Sequence, residues 1–302
     1  MITATAVSKS FGDIAAVKNI TTTIPSGAVY GLIGTNGAGK STFLRMLAGV
    51  LKADEGEVKI DGEEVYENPD VKRRCFFISD DQYFFQNTTP TALAAFYKTV
   101  YPAFDEARFY NLLKAFGLDA KRRIGTFSKG MKKQVSVISA VSSGADYIFA
   151  DETFDGLDPV ARQAVKSLFA ADIADRGITP VVASHNLREL EDICDHIGLL
   201  HQGDVLFSCD LEYMRLGLHR VQCAFAAHTP HEAFPKELDI AKFESRGSLV
   251  TMTVRGDPIA IEAAVRGMEP KPLFCELIPL TLEEVFIGET EVVGYDIKSL
   301  LF

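Results

Sequence analysis

The chain of 302 residues has no long apolar run, no excess of basic residues and no closely spaced cysteine pair. No window reaches the roughly 20 consecutive apolar residues that a membrane-spanning helix requires. The N-terminal residues lack a basic stretch followed by an apolar one, so we expect no secretion signal. The five cysteines show no C-x-x-C spacing, which favours reduced, buried thiols over a metal site. These absences together predict a cytoplasmic protein.

The charge balance is acidic, with 31 Lys and Arg against 41 Asp and Glu and a net charge of −10. Proteins that wrap duplex DNA or RNA carry the opposite sign, because neutralising phosphates dominates their affinity. We therefore expect no nucleic-acid partner. A nucleotide needs only a local phosphate-binding loop, so the acidity does not exclude one.

Residues 1–216 alternate short apolar runs with helical patterns, which predicts an α/β fold with a parallel sheet. Between about residues 89 and 142 the pattern becomes helical, with Thr89-Pro90 as N-cap and first helical position. The predicted strands are Ala28–Ile33, Val58–Ile60, Cys75–Ser79, Tyr147–Ala150, Thr179–Ser184 and Ile197–Leu200.

Residues 217–302 read as a separate, smaller α+β domain. A strand, a helix over HEAFPKEL, a hairpin around Gly247, another helix and a strand are compatible with a ferredoxin-like β-α-β-β-α-β unit. Thr281 and Glu284 have the spacing of a capping box for a final helix, LEEVFIGE. The role of this domain stays open between a dimerisation surface, a regulatory domain and an inert appendage.

The segment from Gly34 to Ser41 matches G-x-x-x-x-G-K-[ST] and lies between a predicted strand and a predicted helix. Its glycines let backbone N–H groups point at phosphate oxygens, and the helix N-terminus adds partial positive charge. Lys40 is placed to reach the β- and γ-phosphates, and the Ser41 hydroxyl is a ligand for Mg²⁺. The residues expected to bind ATP here are Gly34, Asn36, Gly37, Ala38, Gly39, Lys40, Ser41 and Thr42.

A second motif is an apolar strand that ends in two acids, Tyr147-Ile-Phe-Ala-Asp151-Glu152. The carboxyl edge of the sheet then brings both carboxylates beside the phosphate loop. Asp151 can hold Mg²⁺, and Glu152 can orient and polarise an attacking water. By itself the pattern is common; downstream of a phosphate loop it becomes specific.

Between these motifs lies Phe127-Ser128-Lys129-Gly130-Met131, and after them come Asp155-Gly-Leu-Asp158-Pro159 and His185. This ordered set resembles the ATP-binding cassette (ABC) transporter ATPases over roughly residues 2–210. FSKGM resembles the family's LSGGQ signature in a form found in bacterial exporters. The resemblance implies a P-loop NTPase fold, with a RecA-like core and a helical subdomain, followed here by the small α+β extension.

The resemblance also implies roles for single residues. Phe11 matches the aromatic residue that stacks on adenine, and Gln82 the glutamine that senses Mg²⁺ and the transport partner. His185 matches the histidine that contacts the γ-phosphate within its own subunit. The signature residues Ser128, Lys129 and Gly130 match positions that contact ATP held by the other subunit. Asp158 matches the loop that couples the two sites.

Lys129 and Met131 replace a glycine and a glutamine of the commoner signature, and Lys129 has a second interpretation as a solvated charge. The resemblance implies an ATPase that needs Mg²⁺ and works as a homodimer, or as a heterodimer with a related cassette. Such a pair powers a separate integral membrane permease, here an exporter, from the cytoplasmic face of the cell membrane. The alternative is a soluble, non-transport ABC ATPase that acts on a cytoplasmic partner.

Overall fold

The computed structural model describes residues 1–211, 217–281 and 284. It contains two compact units, Met1–Ser208 and a second that begins at Cys209. The division lies before the predicted domain boundary at residue 216. It falls within the strand Asp204–Asp210, near the end of that strand.

Six strands form the large sheet of the first unit. In order across the sheet they are β10 (Asp204–Asp210), β9 (His196–His201), β3 (Tyr30–Ile33), β8 (Thr179–Ser184), β7 (Tyr147–Asp151) and β6 (Cys75–Ile78). The pairings from β9 to β6 are parallel. Strands β3, β7 and β8 are buried along their whole length, which explains their continuous apolar sequences.

A second sheet of the first unit is antiparallel. Its order is β2 (Ile14–Ile24), β1 (Ile2–Phe11), β4 (Glu55–Ile60) and β5 (Glu63–Glu64). The β1–β2 hairpin turns at Gly12, whose φ of 58° suits a residue without a Cβ. The apolar core between these strands and the large sheet is filled from one helix by Phe43, Leu44, Met46 and Leu47.

The helices of the first unit are α1 (Lys40–Leu47), α2 (Pro69–Lys72), α3 (Pro90–Val100), α4 (Glu106–Ala115), α5 (Lys129–Ser142), α6 (Pro159–Arg176) and α7 (Leu187–Glu191). The Thr89 hydroxyl caps α3 as predicted, accepting from the Ala92 N–H at 3.2 Å. An aromatic-rich core joins helices α3, α4 and α5, and Phe127, just before α5, is part of it. Across the described ranges, no helix combines the length and apolarity needed to cross a bilayer.

A buried carboxylate ties α4 to α6. Asp172 on α6 is only 2% exposed and accepts hydrogen bonds from Arg108 on α4 and from Arg176 on α6. Burying one carboxylate is costly unless it is paired, and here two guanidinium groups pair it. The helical segment is therefore fastened to the core by charge as well as by apolar packing.

The second unit is a four-stranded antiparallel sheet with one helix. Its order is β12 (Asp239–Arg246), β13 (Leu249–Arg255), β11 (Leu218–Ala224) and β14 (Phe274–Pro279), and α8 (Pro258–Gly267) connects β13 to β14. This is the strand order of a ferredoxin-like unit. The predicted helix over HEAFPKEL is wrong: only His231–Ala233 form a 3₁₀ turn. Phe234 precedes Pro235 and is extended, because a following proline disfavours the helical region.

The predicted capping box is confirmed. The Thr281 N–H donates to the Glu284 carboxylate at 3.0 Å, and the Glu284 N–H donates to the Thr281 hydroxyl at 3.3 Å. The remainder of the predicted final helix lies outside the described residues.

Replacing Asp172 by Ala leaves two guanidinium groups without their buried partner, so we expect the free energy of unfolding to fall by about 3 kcal/mol. Urea unfolding followed by circular dichroism measures the change. Asp175→Ala, at an exposed position of the same helix, is the matched control and should change stability by less than about 0.5 kcal/mol. Equal effects of the two variants would show that the cluster does not fasten α4 to α6.

Candidate ATP-binding and hydrolysis site

Four neighbouring strands of the large sheet each lead into a loop that carries a candidate residue. The phosphate loop follows β3, His185 follows β8, Glu152 follows β7, and the loop with Asp80 and Gln82 follows β6. Because these strands are parallel, their loops leave from the same edge of the sheet. The strand order therefore brings together residues that are far apart in the sequence.

The phosphate loop runs directly into α1, whose N-terminus is open. Gly39 is the N-cap residue with φ of 103°, and no side chain caps the helix. The N–H groups of the first turn therefore have no side-chain acceptor and remain suited to an anion. The loop itself is held by the Gly203 N–H, which donates to the Ala38 carbonyl at 3.0 Å.

Lys40 is buried, with 6% of its side chain exposed. Its ammonium donates to the carbonyls of Gly34 at 2.8 Å and Thr35 at 3.2 Å, and lies 3.5 Å from a Glu152 carboxylate oxygen. Burial lowers the pKa of Lys40, against the opposing effect of the nearby Glu152 carboxylate. A phosphate group in the loop would favour the charged ammonium again.

Two of the predicted magnesium ligands lie side by side. The Ser41 hydroxyl donates to Asp151 Oδ1 at 3.0 Å, so the two predicted ligands are adjacent. Burial raises the pKa of Asp151, although the hydrogen bond from Ser41 opposes the shift. Both polar atoms of the Gln82 amide are buried without a hydrogen-bond partner. Hydroxyl and carboxylate oxygens are ligands that Mg²⁺ prefers, so Ser41 and Asp151 fit the ion, while Gln82 stays a predicted ligand.

Glu152 faces the phosphate loop on one side and His185 on the other. Its second carboxylate oxygen lies 2.9 Å from His185 Nδ1, and a carboxylate can only accept, so that nitrogen carries the proton. Glu152 is largely buried at 14% exposure, whereas His185 is half exposed at 49%. A carboxylate held between an ammonium and an imidazole can orient and polarise a water molecule beside the γ-phosphate.

A cavity of about 480 Å³ lies over the phosphate loop. Its lining residues are Ile14, Ala15, Ala16, Lys18, Asn36, Gly37, Ala38, Gly39, Lys40, Ser41, Thr42, Asp80, Glu152 and Gln202. Sequence reasoning missed the contributions of β2, Asp80 and Gln202. The glycine and aspartate that precede Ile14 are a hairpin signal, and that signal was available in the sequence.

Phe11 is not among the residues that line this cavity. It is half exposed, at the end of β1, and pairs across the hairpin with Ile14, which does line it. The Lys9 ammonium lies 5.7 Å from the centroid of the Phe11 ring. The ring is thus accessible on the hairpin beside the cavity, and adenine stacking remains a prediction.

The signature residues lie at the N-terminus of α5. Ser128 is the N-cap of α5 and accepts from the Met131 N–H at 3.2 Å, while Lys129 forms an ion pair with Asp155 at 2.8 Å. A Cβ on Gly130 would press against the carbonyl of Gly156. Asp158 caps α6, accepting from the Val160 and Ala161 N–H groups at 3.0 and 2.9 Å. Ser128, Lys129, Gly130 and Asp158 are not among the residues that line the cavity, and neither are Gln82, Asp151 and His185.

Two glycines of the phosphate loop offer a matched test. A Cβ at Gly39 would clash with the Ala16 carbonyl, whereas one at Gly37 would meet nothing within 4 Å, and both residues have positive φ. Gly37→Ala should therefore cost about 1 kcal/mol of backbone strain. We expect Gly39→Ala to lower the melting temperature further and to abolish ATP binding. Equal melting temperatures would show that the Ala16 contact does not restrict position 39.

Known proteins resemble this chain in sequence and in fold. The ABC transporter family profile matches residues 17–155. The chain is 29% identical to the ABC transporter ATP-binding protein YtrB of Bacillus subtilis (strain 168) over 96% of its own length and 98% of the relative. It is 31% identical to the daunorubicin/doxorubicin resistance ATP-binding protein DrrA of Streptomyces peucetius, over 71% and 69% of the two chains.

Among solved structures, the dimeric bacterial ABC transporter cassette MJ0796 shares the fold. Its TM-score is 0.64 at 24% identity, over 70% of this chain and 99% of that one. The fold, the phosphate loop and the relatives lead to one conclusion. The chain belongs to the ATP-binding proteins of ABC transporters, and it is an ATPase that serves an ATP-driven transporter.

Proposed function

We propose that two such cassettes, two copies of this chain or one copy with a related cassette, close around two ATP molecules and power a separate export permease. One observation carries the proposal. Lys40, Ser41 and Glu152 line the cavity over the phosphate loop, whereas Ser128 and Lys129 of the signature are exposed at the start of α5 and do not line it. A second cassette can supply those residues to each site.

Within each site the chain's own residues divide the work. Lys40 and the α1 N-terminus would bind the β- and γ-phosphates, and Ser41, Asp151 and Gln82 would hold Mg²⁺. The ion supplies positive charge that neutralises the phosphate oxygens. Glu152 would accept a hydrogen bond from the attacking water while His185 keeps its carboxylate in place. These groups would already be in position when the γ-phosphate is transferred to water, so they would not have to rearrange during the reaction.

The exposed N-terminus of α5 supports pairing. Ser128 is the N-cap and Gly130 lies in the first turn of a 14-residue helix, so a partner's γ-phosphate at this position would meet an anion-binding helix end. Lys129 is 62% exposed and would add positive charge there. The MJ0796 cassette, which has the same fold, is dimeric.

An exposed aromatic patch supports a permease partner. Tyr83, Phe85 and Phe96 are 84%, 62% and 46% exposed, and their rings touch in sequence at centroid distances of 5.9 and 6.1 Å. Contiguous exposed apolar surface of this kind marks interaction sites. The patch begins beside Gln82, so a partner seated on it would contact the loop that carries a proposed magnesium ligand. The permease would thereby hold the chain at the cytoplasmic face of the membrane.

Export is the direction favoured by the FSKGM signature and by DrrA, whose name refers to resistance to daunorubicin and doxorubicin. The alternative is an ATPase that acts on a soluble partner through the same aromatic patch. The two functions differ in location: an export subunit binds membranes that contain its permease, whereas the alternative ATPase does not.

Glu152→Gln keeps the size of the side chain and removes the negative charge that polarises water. We expect kcat to fall by about 100-fold or more, while ATP binding is kept and an ATP-bound dimer accumulates. Phosphate release and gel filtration with MgATP measure both effects. Asp175→Asn, an exposed carboxylate of α6, is the control. Turnover at the original rate would assign the water-orienting role to another group.

Replacing Phe85 and Phe96 by Ser removes the centre of the aromatic patch. We expect the ATPase rate of the isolated subunit to change by less than about 2-fold, because exposed substitutions away from the site are mild. Binding to membranes of the host that contain the permease should be lost. Val50→Ser, at an exposed apolar position outside the patch, is the control. If the unsubstituted protein does not sediment with those membranes and stays in the supernatant, the soluble alternative is favoured.

A further inference from the structure

A buried lysine on the signature helix lies behind the catalytic carboxylate. Lys133, in the second turn of α5, has only 1% of its side chain exposed. Its ammonium donates to the backbone carbonyl of Glu152 and lies 3.2 Å from a carboxylate oxygen of Asp80. An ammonium is costly to bury unless it is paired and hydrogen-bonded, and Asp80 is itself half exposed. A lysine is therefore a poor choice for packing alone at this position.

Glu152 has an unusual backbone that the lysine holds. Its φ is 45°, in the left-handed region that residues with a side chain seldom adopt. Its N–H donates to the Ala183 carbonyl at 2.9 Å, and its own carbonyl accepts from Lys133. Both peptide groups that flank the Glu152 Cα are thus fixed. Fixing them directs the carboxylate to Lys40 and His185.

The same ammonium joins three parts of the site. It lies on α5, which begins at the signature; it pairs with Asp80, in the loop that carries Gln82; and it binds the turn that carries Glu152. A displacement of α5 or of the Gln82 loop would therefore act on the Glu152 peptide through one side chain.

We propose that Lys133 is a positioning residue for ATP hydrolysis, which holds the Glu152 peptide so that its carboxylate faces the attacking water. The inference rests on the proposed function, in which Glu152 polarises that water. It adds that the orientation of Glu152 depends on the position of the signature helix. When a partner's ATP binds the signature of one chain, it would therefore affect the orientation of Glu152, and so the rate of hydrolysis, at that chain's own site.

Lys133→Met tests the proposal, because methionine fills similar space without a donor or a charge. We expect kcat to fall by about 10- to 100-fold, as for a small displacement of a catalytic group. The Kd for a fluorescent ATP analogue should stay within about 2-fold, since no phosphate-binding group is changed. With MgATP the variant should accumulate the ATP-bound dimer, as expected for Glu152→Gln. Lys132→Met, the neighbouring lysine on the same helix, is the control and should leave kcat unchanged.

A role limited to packing of α5 would give a different result. In that case Lys133→Met would disturb the signature and reduce both the amount of ATP-bound dimer and kcat, and this outcome overturns the proposal. An unchanged kcat in a folded Lys133→Met variant overturns it as well. Lys133→Leu, a shorter side chain that also lacks a donor and a charge, provides the same two measurements if the methionine variant does not fold. Glu152→Gln, measured in parallel, distinguishes failure of the Lys133 proposal from failure of the proposed function. Full turnover of this variant would overturn the proposed role of Glu152 itself. If it loses turnover without forming a dimer, pairing fails and the comparison of kcat with Kd still tests Lys133.

Discussion

The site depends on charges that are held out of water before any ligand arrives. Lys40, Asp151 and Glu152 are all largely buried, and burial lowers the pKa of Lys40 while raising that of Asp151. Each charge is therefore kept in place at a cost that its neighbours only partly offset. Phosphate groups opposite Lys40 and a cation opposite Asp151 would complete the set. The architecture of the first unit is what keeps these groups together despite that cost.

That architecture relies on neighbouring parallel strands. Strands β3, β8, β7 and β6 are adjacent in this order, so the loop or residue that follows each of them emerges at one edge. The phosphate loop, His185, Glu152 and Gln82 come from four separate stretches of chain. The strands between them are buried on both faces, which leaves little freedom for one loop to shift without the others.

The helical segment adds what the strands do not supply. Its helix α5 begins with the signature, is packed into an aromatic-rich core, and sends Lys133 back to the turn of Glu152. The Asp172 cluster fastens α4 to α6 on the same unit. These contacts connect the signature helix both to the core and to the backbone of Glu152. The exposed rings of Tyr83 and Phe85 lie just before the helical segment, and that of Phe96 lies on α3.

The sequence by itself determined the local features, because they depend on a few consecutive residues. The glycines of the phosphate loop, the caps at Thr89 and Thr281, the apolar strands and the family resemblance were all readable. The helix predicted over HEAFPKEL does not form, because Pro235 disfavours a helical backbone at the residue before it. Only the tertiary structure decided that Ile14 reaches the cavity, that Glu152 lies between Lys40 and His185, and that Lys133 supports the Glu152 peptide. Those contacts depend on strand order and on burial, which join distant residues and leave no local pattern in the sequence.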